Sequence, residues 1–164
     1  MASNLAGIPV DSFAGANDAT PVVPAGTVTQ AQGTSKVYKY ILAEDANLAL
    51  GDVVEYTTAA NGYEVTPDRA GGTSAGRVAA GVALGTVTHG QYGWIQVQGL
   101  NGRVKTGGSV AAGAALIPHA TSDGLAVTAE SGSTAVNTEA QVFGYALVAD
   151  TTSACSAVML RCAY

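Results

Sequence analysis

The sequence predicts an all-β protein: a compact β-barrel or sandwich built from two similar β-units, an internal duplication, preceded by an extended N-terminal arm. Three observations carry that prediction. The chain is rich in Thr, Val and Gly, with 21 Gly in 164 residues and only 12% charged residues, a composition that favours strands and turns over amphipathic helices. From Val37 onward, short apolar and polar alternations are punctuated by turn chemistry. Finally, the stretch NLALGDVVEYTTAANGYEVTP, 47–67, is nearly written again sixty-two positions on as SVAAGAALIPHATSDGLAVTA, 109–129, without a gap.

In that overlay Ala49, Gly51, Gly62, Val65 and Thr66 fall on Ala111, Gly113, Gly124, Val127 and Thr128. The echo continues with one extra residue: Gly81, Ala83 and Leu84 meet Gly144, Ala146 and Leu147, and GWIQV meets SAVML. Ile95, Val97, Val158 and Leu160 then form the inward face. Residues 36–164 read as one domain, with units of about 37–99 and 100–164. Two units are too few for a solenoid.

The arm, 1–35, comes first. It holds three of the five prolines (Pro9, Pro21 and Pro24) and two charges, Asp11 and Asp18, and no helical or strand period persists in it. Apolar residues nevertheless punctuate it. Fixing roughly 20 residues costs on the order of 20–40 kcal/mol, which at about 25 cal/mol per Å² needs roughly 800–1,600 Å² of newly buried apolar surface. A small domain offers its own tail little of that, whereas a neighbouring chain can. Ile8, Pro9, Val10, Phe13, Pro21, Val22, Val23 and Pro24 are therefore the expected partner contacts.

The first strand begins near Val28 or Val37 and alternates through KVYKYILA. AEDANLAL suits one helical turn, which Gly51 stops. VVEYTTA, the Asn61-Gly62 hairpin signal and YEVTP follow, then the polar loop DRAGGTSAG, the strand RVAAGVALGTVT, a turn at His89-Gly90 and the strand QYGWIQVQG. The second half repeats the order: VAAGAALIP, the Asp123-Gly124 hairpin, LAVTA, the loop ESGSTAVNTEA, QVFGYALVAD and SAVMLRC.

Chemistry is sparse. A formal net charge of -5 with seven scattered Lys and Arg argues against nucleic acid, whose phosphates need clustered cations. No run approaches the roughly 18 apolar residues of a membrane helix, and the start has no cationic segment followed by an apolar run. Cys155 and Cys162 share the last strand, about 23 Å apart at 3.3 Å per residue, beyond disulfide reach; free thiols are expected, with Cys162 buried. His89 and His119 read as turn and strand-end residues, with no nucleophile elbow to serve. No metal spacing or phosphate-loop pattern occurs, so no cofactor, metal or catalytic residue is assigned. Trp94, with Tyr92, alternates opposite Ile95 and Val97. It serves either as an interface aromatic or in a second core layer.

The stretches ALGDVVEYTTAANGYEVTPD, GVALGTVTHGQYGWIQVQGLNGRVKTGGSVAAGAALIPHATSDG and VFGYALVADTTSACSAVMLR, together with the nearly uncharged arm, resemble the capsid cement, or head decoration, proteins of tailed bacteriophages. The resemblance spans about 37–162 and is one of pattern and phrase, without an invariant motif. It implies a non-enzymatic structural protein on the outer surface of the virion capsid, bound to the major capsid protein and stabilising the expanded head by clamping its neighbours. It also implies a homo-oligomer, a trimer ahead of a dimer. The alternative is a carbohydrate- or host-surface-binding β-module on a virion, using Tyr92 and Trp94 as stacking platforms.

Overall fold

One strand of fourteen residues, Tyr92–Lys105, runs through the whole molecule. The computed structural model describes residues 4–5, 8–9, 16–57, 61–67, 78–119, 121–129, 141–151 and 155–162. Its strands are β1 (Asn4–Leu5), β2 (Ile8–Pro9), β3 (Val28–Gln30), β4 (Val37–Ala43), β5 (Val53–Tyr56), β6 (Glu64–Thr66), β7 (Ala79–Ala83), β8 (Tyr92–Lys105), β9 (Ala115–Pro118), β10 (Ala126–Thr128), β11 (Gly144–Ala146) and β12 (Cys155–Arg161). The loops DRAGGTSAG and ESGSTAVNTEA lie outside the described residues.

The first half of β8 closes a five-stranded barrel in the order β8-β7-β5-β6-β4 and back to β8. Every pairing in it is antiparallel except β4 with β6, where Leu42 meets Glu64 and Ala43 meets Val65 in parallel. Closure leaves these strands no free edge to protect. The second half of β8 starts another set in the order β8-β12-β11-β9-β10. Its last strand returns to the end of β8 through a single parallel bridge, Thr106 to Ala126.

The duplication is visible in the register of these pairings. Val82 faces Gln96, and Tyr145 faces Met159; Ala83 faces Ile95, and Ala146 faces Val158. Val54 opposite Gly81 returns as Leu116 opposite Gly144. Tyr38 opposite Gln96 returns as Leu100 opposite Met159. The isolated bridge from Leu48 to Val87 has its twin in Val110 to Asp150. β8 therefore ends the first unit and opens the second, where its later half takes the place that β4 holds in the first. The unit boundary read from the sequence falls inside this strand.

The expected inward residues Ile95, Val97, Val158 and Leu160 are fully buried and belong to one hydrophobic cluster with Ile41, Val54, Val82, Leu116 and Phe143. A single core thus serves both units. They are also joined by polar contacts: Val53 N–H donates to the Gly124 carbonyl at 2.8 Å, Lys105 N–H donates to that of Gly51 at 3.0 Å, and Lys105 Nζ meets Asp52 Oδ1 at 2.6 Å.

One expected element is absent. Residues 44–47 form a bend rather than a helical turn, with Asp45 at φ 66°. Glu44 N–H is committed to the Val65 carbonyl of the barrel at 2.8 Å, so tertiary pairing overrides the local helix-start signal.

The repeated turn before β5 and before β9 separates conformation from crowding. Gly51 and Gly113 both have positive φ, 85° and 81°, and donate to equivalent carbonyls, Ala83 and Ala146. A Cβ at Gly51 would collide with the Arg103 carbonyl, whereas none at Gly113 meets anything within 4 Å. Gly113→Ala should cost about 1–2 kcal/mol from the left-handed backbone alone, and Gly51→Ala about 1–3 kcal/mol more from overpacking. Urea unfolding of the two variants measures the difference.

Candidate interaction surfaces

The two units differ on their outer faces. Over the first, residues 16–31, all within the expected arm, form a cover that includes β3. Tyr40 holds it down. Its backbone N–H donates to the Thr27 carbonyl and its carbonyl accepts from Gly26 N–H, both at 2.8 Å. Its hydroxyl donates to Asp18 Oδ2 at 2.6 Å and accepts from Val22 N–H at 3.4 Å. Asp18 in turn exchanges two backbone hydrogen bonds with Tyr92, each 2.8 Å. Burial, and then the hydrogen bond to Asp18, hold the Tyr40 hydroxyl pKa well above the usual phenol value. Beneath the cover, Tyr40 stacks on Tyr92 with ring centroids 5.9 Å apart and tilts against Trp94 at 5.0 Å. Ala31 and Tyr38 complete this second core layer, and Ala16, Val23 and Leu84 pack against it.

These contacts revise the expected arm. Residues 16–31 do not wait for a neighbour; they lie on the chain's own barrel. A small domain offers its tail little apolar surface in general, but here the outward aromatics Tyr38, Tyr40, Tyr92 and Trp94 supply it. Pro21 and Pro24 also lower the entropy to be lost. Of the residues expected to touch a partner, Pro21, Val22 and Pro24 are exposed on the cover and Val23 is half-buried in it. In β2, Ile8 pairs with Leu5 and Pro9 with Asn4; the side chains of Ile8 and Pro9, and all of Val10 and Phe13, lie outside the described residues. Trp94 is 2% exposed and Tyr92 half-buried. The second-layer reading of Trp94 therefore holds, and neither ring is an open stacking platform.

Over the second unit, Leu100, Tyr145, Leu147, Val148 and Met159 are exposed. Sequence reading missed this face. The signal was present in the overlay: the apolar run VFGYALV, with Met159 standing where the first unit has Gln96, leaves apolar residues pointing both ways from the sheet.

Other candidates resolve into structural roles. His119 Nδ1 accepts from the N–H groups of Thr121 and Ser122, at 3.2 and 3.1 Å, and so fastens its own turn. His89 is exposed, and its N–H donates to Asn47 Oδ1 at 2.7 Å. An open cleft of about 640 Å³ near mid-β8 is lined by Lys36, Gln96, Asn101 and Arg103 among others. Its two buried amides serve the chain itself: Asn101 Nδ2 donates to Gln96 Oε1, and Gln96 Nε2 donates to the Gln98 and Leu100 carbonyls. Among the described residues no group of three His, Cys, Asp or Glu could hold a metal ion.

Neither a protein-family model nor a curated protein sequence matches the chain. Among solved structures, it is similar to the N base of head fibre gp8.5 of bacteriophage phi29. The TM-score is 0.51 at 19% identity, over 79% of this chain and 98% of that one. That likeness is one of fold.

Two outcomes follow from the cover and the core. Tyr40→Phe should cost about 1–2 kcal/mol by removing a hydrogen bond to a carboxylate, and limited proteolysis should cut residues 16–27 faster than in the unmodified chain. Cys162 is free and buried, and burial pushes its thiol up to about 12. In a Cys155→Ser chain, thiol reagents at pH 8 should therefore label Cys162 only after denaturant unfolds the barrel.

Proposed function

We propose that this chain is a structural protein of a phage virion, bound to the outer surface of the head, where it stabilises the expanded capsid by clamping neighbouring major capsid proteins. The observation that carries the reading is the shared fold with a phage head fibre base. The family resemblance of the sequence and the sparsely charged leader point the same way.

In this reading the capsid contact is made by residues 1–15, with Ile8, Pro9, Val10 and Phe13 as the apolar contacts. Pro21, Val22, Val23 and Pro24 belong to the cover instead. A strand from the leader adds to an exposed capsid sheet edge through backbone hydrogen bonds that need little side-chain identity. Several leaders on one particle sum modest contacts through effective concentration. Because the site exists only where capsomers meet, binding favours the assembled head over its parts. No catalytic step, cofactor or nucleic acid enters this mechanism. The carbohydrate-binding alternative loses its main support, because the aromatics it would use lie beneath or within the cover.

Deleting residues 1–15 is the test. The truncated chain should keep its β-type circular dichroism and melting temperature, and its apparent affinity for expanded heads in co-sedimentation should fall at least tenfold. Coating of heads at undiminished occupancy would refute the leader as the clamp. A deletion of residues 1–30 is less informative, since it also strips the cover and should lower stability.

A further inference from the structure

The open cleft near mid-β8 belongs to neither unit alone. Lys36, Leu50 and the turn after β7 line it on one side, and residues 101–103 of the later half of β8 on the other. Gln96 and Asn101, bonded to each other at 3.2 Å, stiffen its buried floor. Where the lining positions recur in the second unit, their chemistry changes: Thr86 and Gln96 correspond to Ala149 and Met159. The same strand pairing thus accepts apolar residues there, and the polar lining is a property of the cleft rather than a demand of the fold.

Among the described residues the lining carries two cations, Lys36 and Arg103, and no acid. Neither side chain has a hydrogen-bond or ion-pair partner among the described residues. Other cations are committed: Lys39 Nζ to the Tyr56 hydroxyl at 2.9 Å, and Lys105 Nζ to Asp52 Oδ1 at 2.6 Å. The backbones of both free cations are held in place. Lys36 N–H donates to Thr34 Oγ1 at 3.2 Å, and its carbonyl accepts from Ala31 N–H at 3.1 Å. Arg103 N–H donates to Asn101 Oδ1 at 2.7 Å, and its carbonyl lies against Gly51. Little backbone freedom is therefore lost when a ligand arrives.

We infer that this cleft binds an acidic peptide segment of a partner protein, whose carboxylates pair with Lys36 and Arg103 while an aliphatic side chain rests on Leu50 and Leu84. The paired N–H donors of a guanidinium match the two oxygens of a carboxylate. Leu50 is exposed and Leu84 half-buried, so both have apolar surface to offer. The volume of about 640 Å³ lies within the roughly 300–1,000 Å³ of ligand sites. The lining also separates this occupant from other anions. An acidic sugar calls for an aromatic face to stack on, and among the described residues no aromatic side chain lines the cleft. A nucleic-acid backbone calls for a longer run of cations. The site uses none of the leader's residues, so it stands whether or not residues 1–15 make the capsid contact.

The test uses the purified full-length protein without heads and the blocked peptides Glu-Leu-Leu-Glu and Gln-Leu-Leu-Gln. In NMR titrations the Glu peptide should shift the amide resonances of Gly85, Thr86, Gly102 and Arg103 saturably, and the Gln peptide should bind about tenfold more weakly. Raising the ionic strength from about 0.05 to 0.5 M should weaken the Glu peptide alone. The double variant Lys36→Glu, Arg103→Glu should lose the Glu peptide and bind Lys-Leu-Leu-Lys in its place. Arg161→Glu, which reverses an exposed charge elsewhere, should leave binding of the Glu peptide nearly unchanged. If the double reversal lowers the melting temperature, Lys36→Gln with Arg103→Gln serves instead, and should lose the Glu peptide. No saturable shift at the cleft, binding that survives the substitutions, or tighter binding of oligogalacturonate than of the Glu peptide would overturn the proposal.

Discussion

The fold depends on β8 being one strand with two duties. Its first half hydrogen-bonds to β4 and β7, its second half to β12, and its inward residues pass from Ile95 and Val97 to Val104 within one core. A duplicated unit joined by a linker would leave two small barrels, each burying a modest fraction of its surface. Sharing a strand instead makes the register of either unit a constraint on the other. Midway, Gly99 adopts φ 90° where a Cβ would crowd the Ser35 carbonyl, so the strand can pass under the β3–β4 turn without breaking its ladder.

That sharing also makes the repeat directional. The first unit is closed over by the second and by residues 16–31, whereas the equivalent row of the second, Leu100, Met159 and Tyr145, stands exposed. Its outer face is therefore apolar where that of the first unit is covered.

Much of the body was legible in the sequence. The inward quartet Ile95, Val97, Val158 and Leu160, the paired turns at Gly51 and Gly113, and the two hairpins at Gly62 and Gly124 all follow from period and turn chemistry, which are local. The continuity of β8 was not, since QGLNG reads as the end of a strand and a turn. Pairing with β12, together with the bond from Lys105 to Gly51, keeps it extended. The cover was missed for a similar reason. Residues 16–31 have no period, and what fixes them is one tyrosine hydroxyl and an aromatic layer, contacts made between residues distant in sequence. The bare second face sits between these cases, legible once the units are overlaid but invisible in either unit alone.

Hydrogen–deuterium exchange on the isolated chain, resolved along β8, tests the central claim most directly. If one strand binds both units into a single cooperative body, amides in 93–98 and in 99–105 should exchange with the same opening free energy, and should respond together to added denaturant. Two distinct opening free energies, with one half of the strand exchanging while the other remains protected, would contradict it.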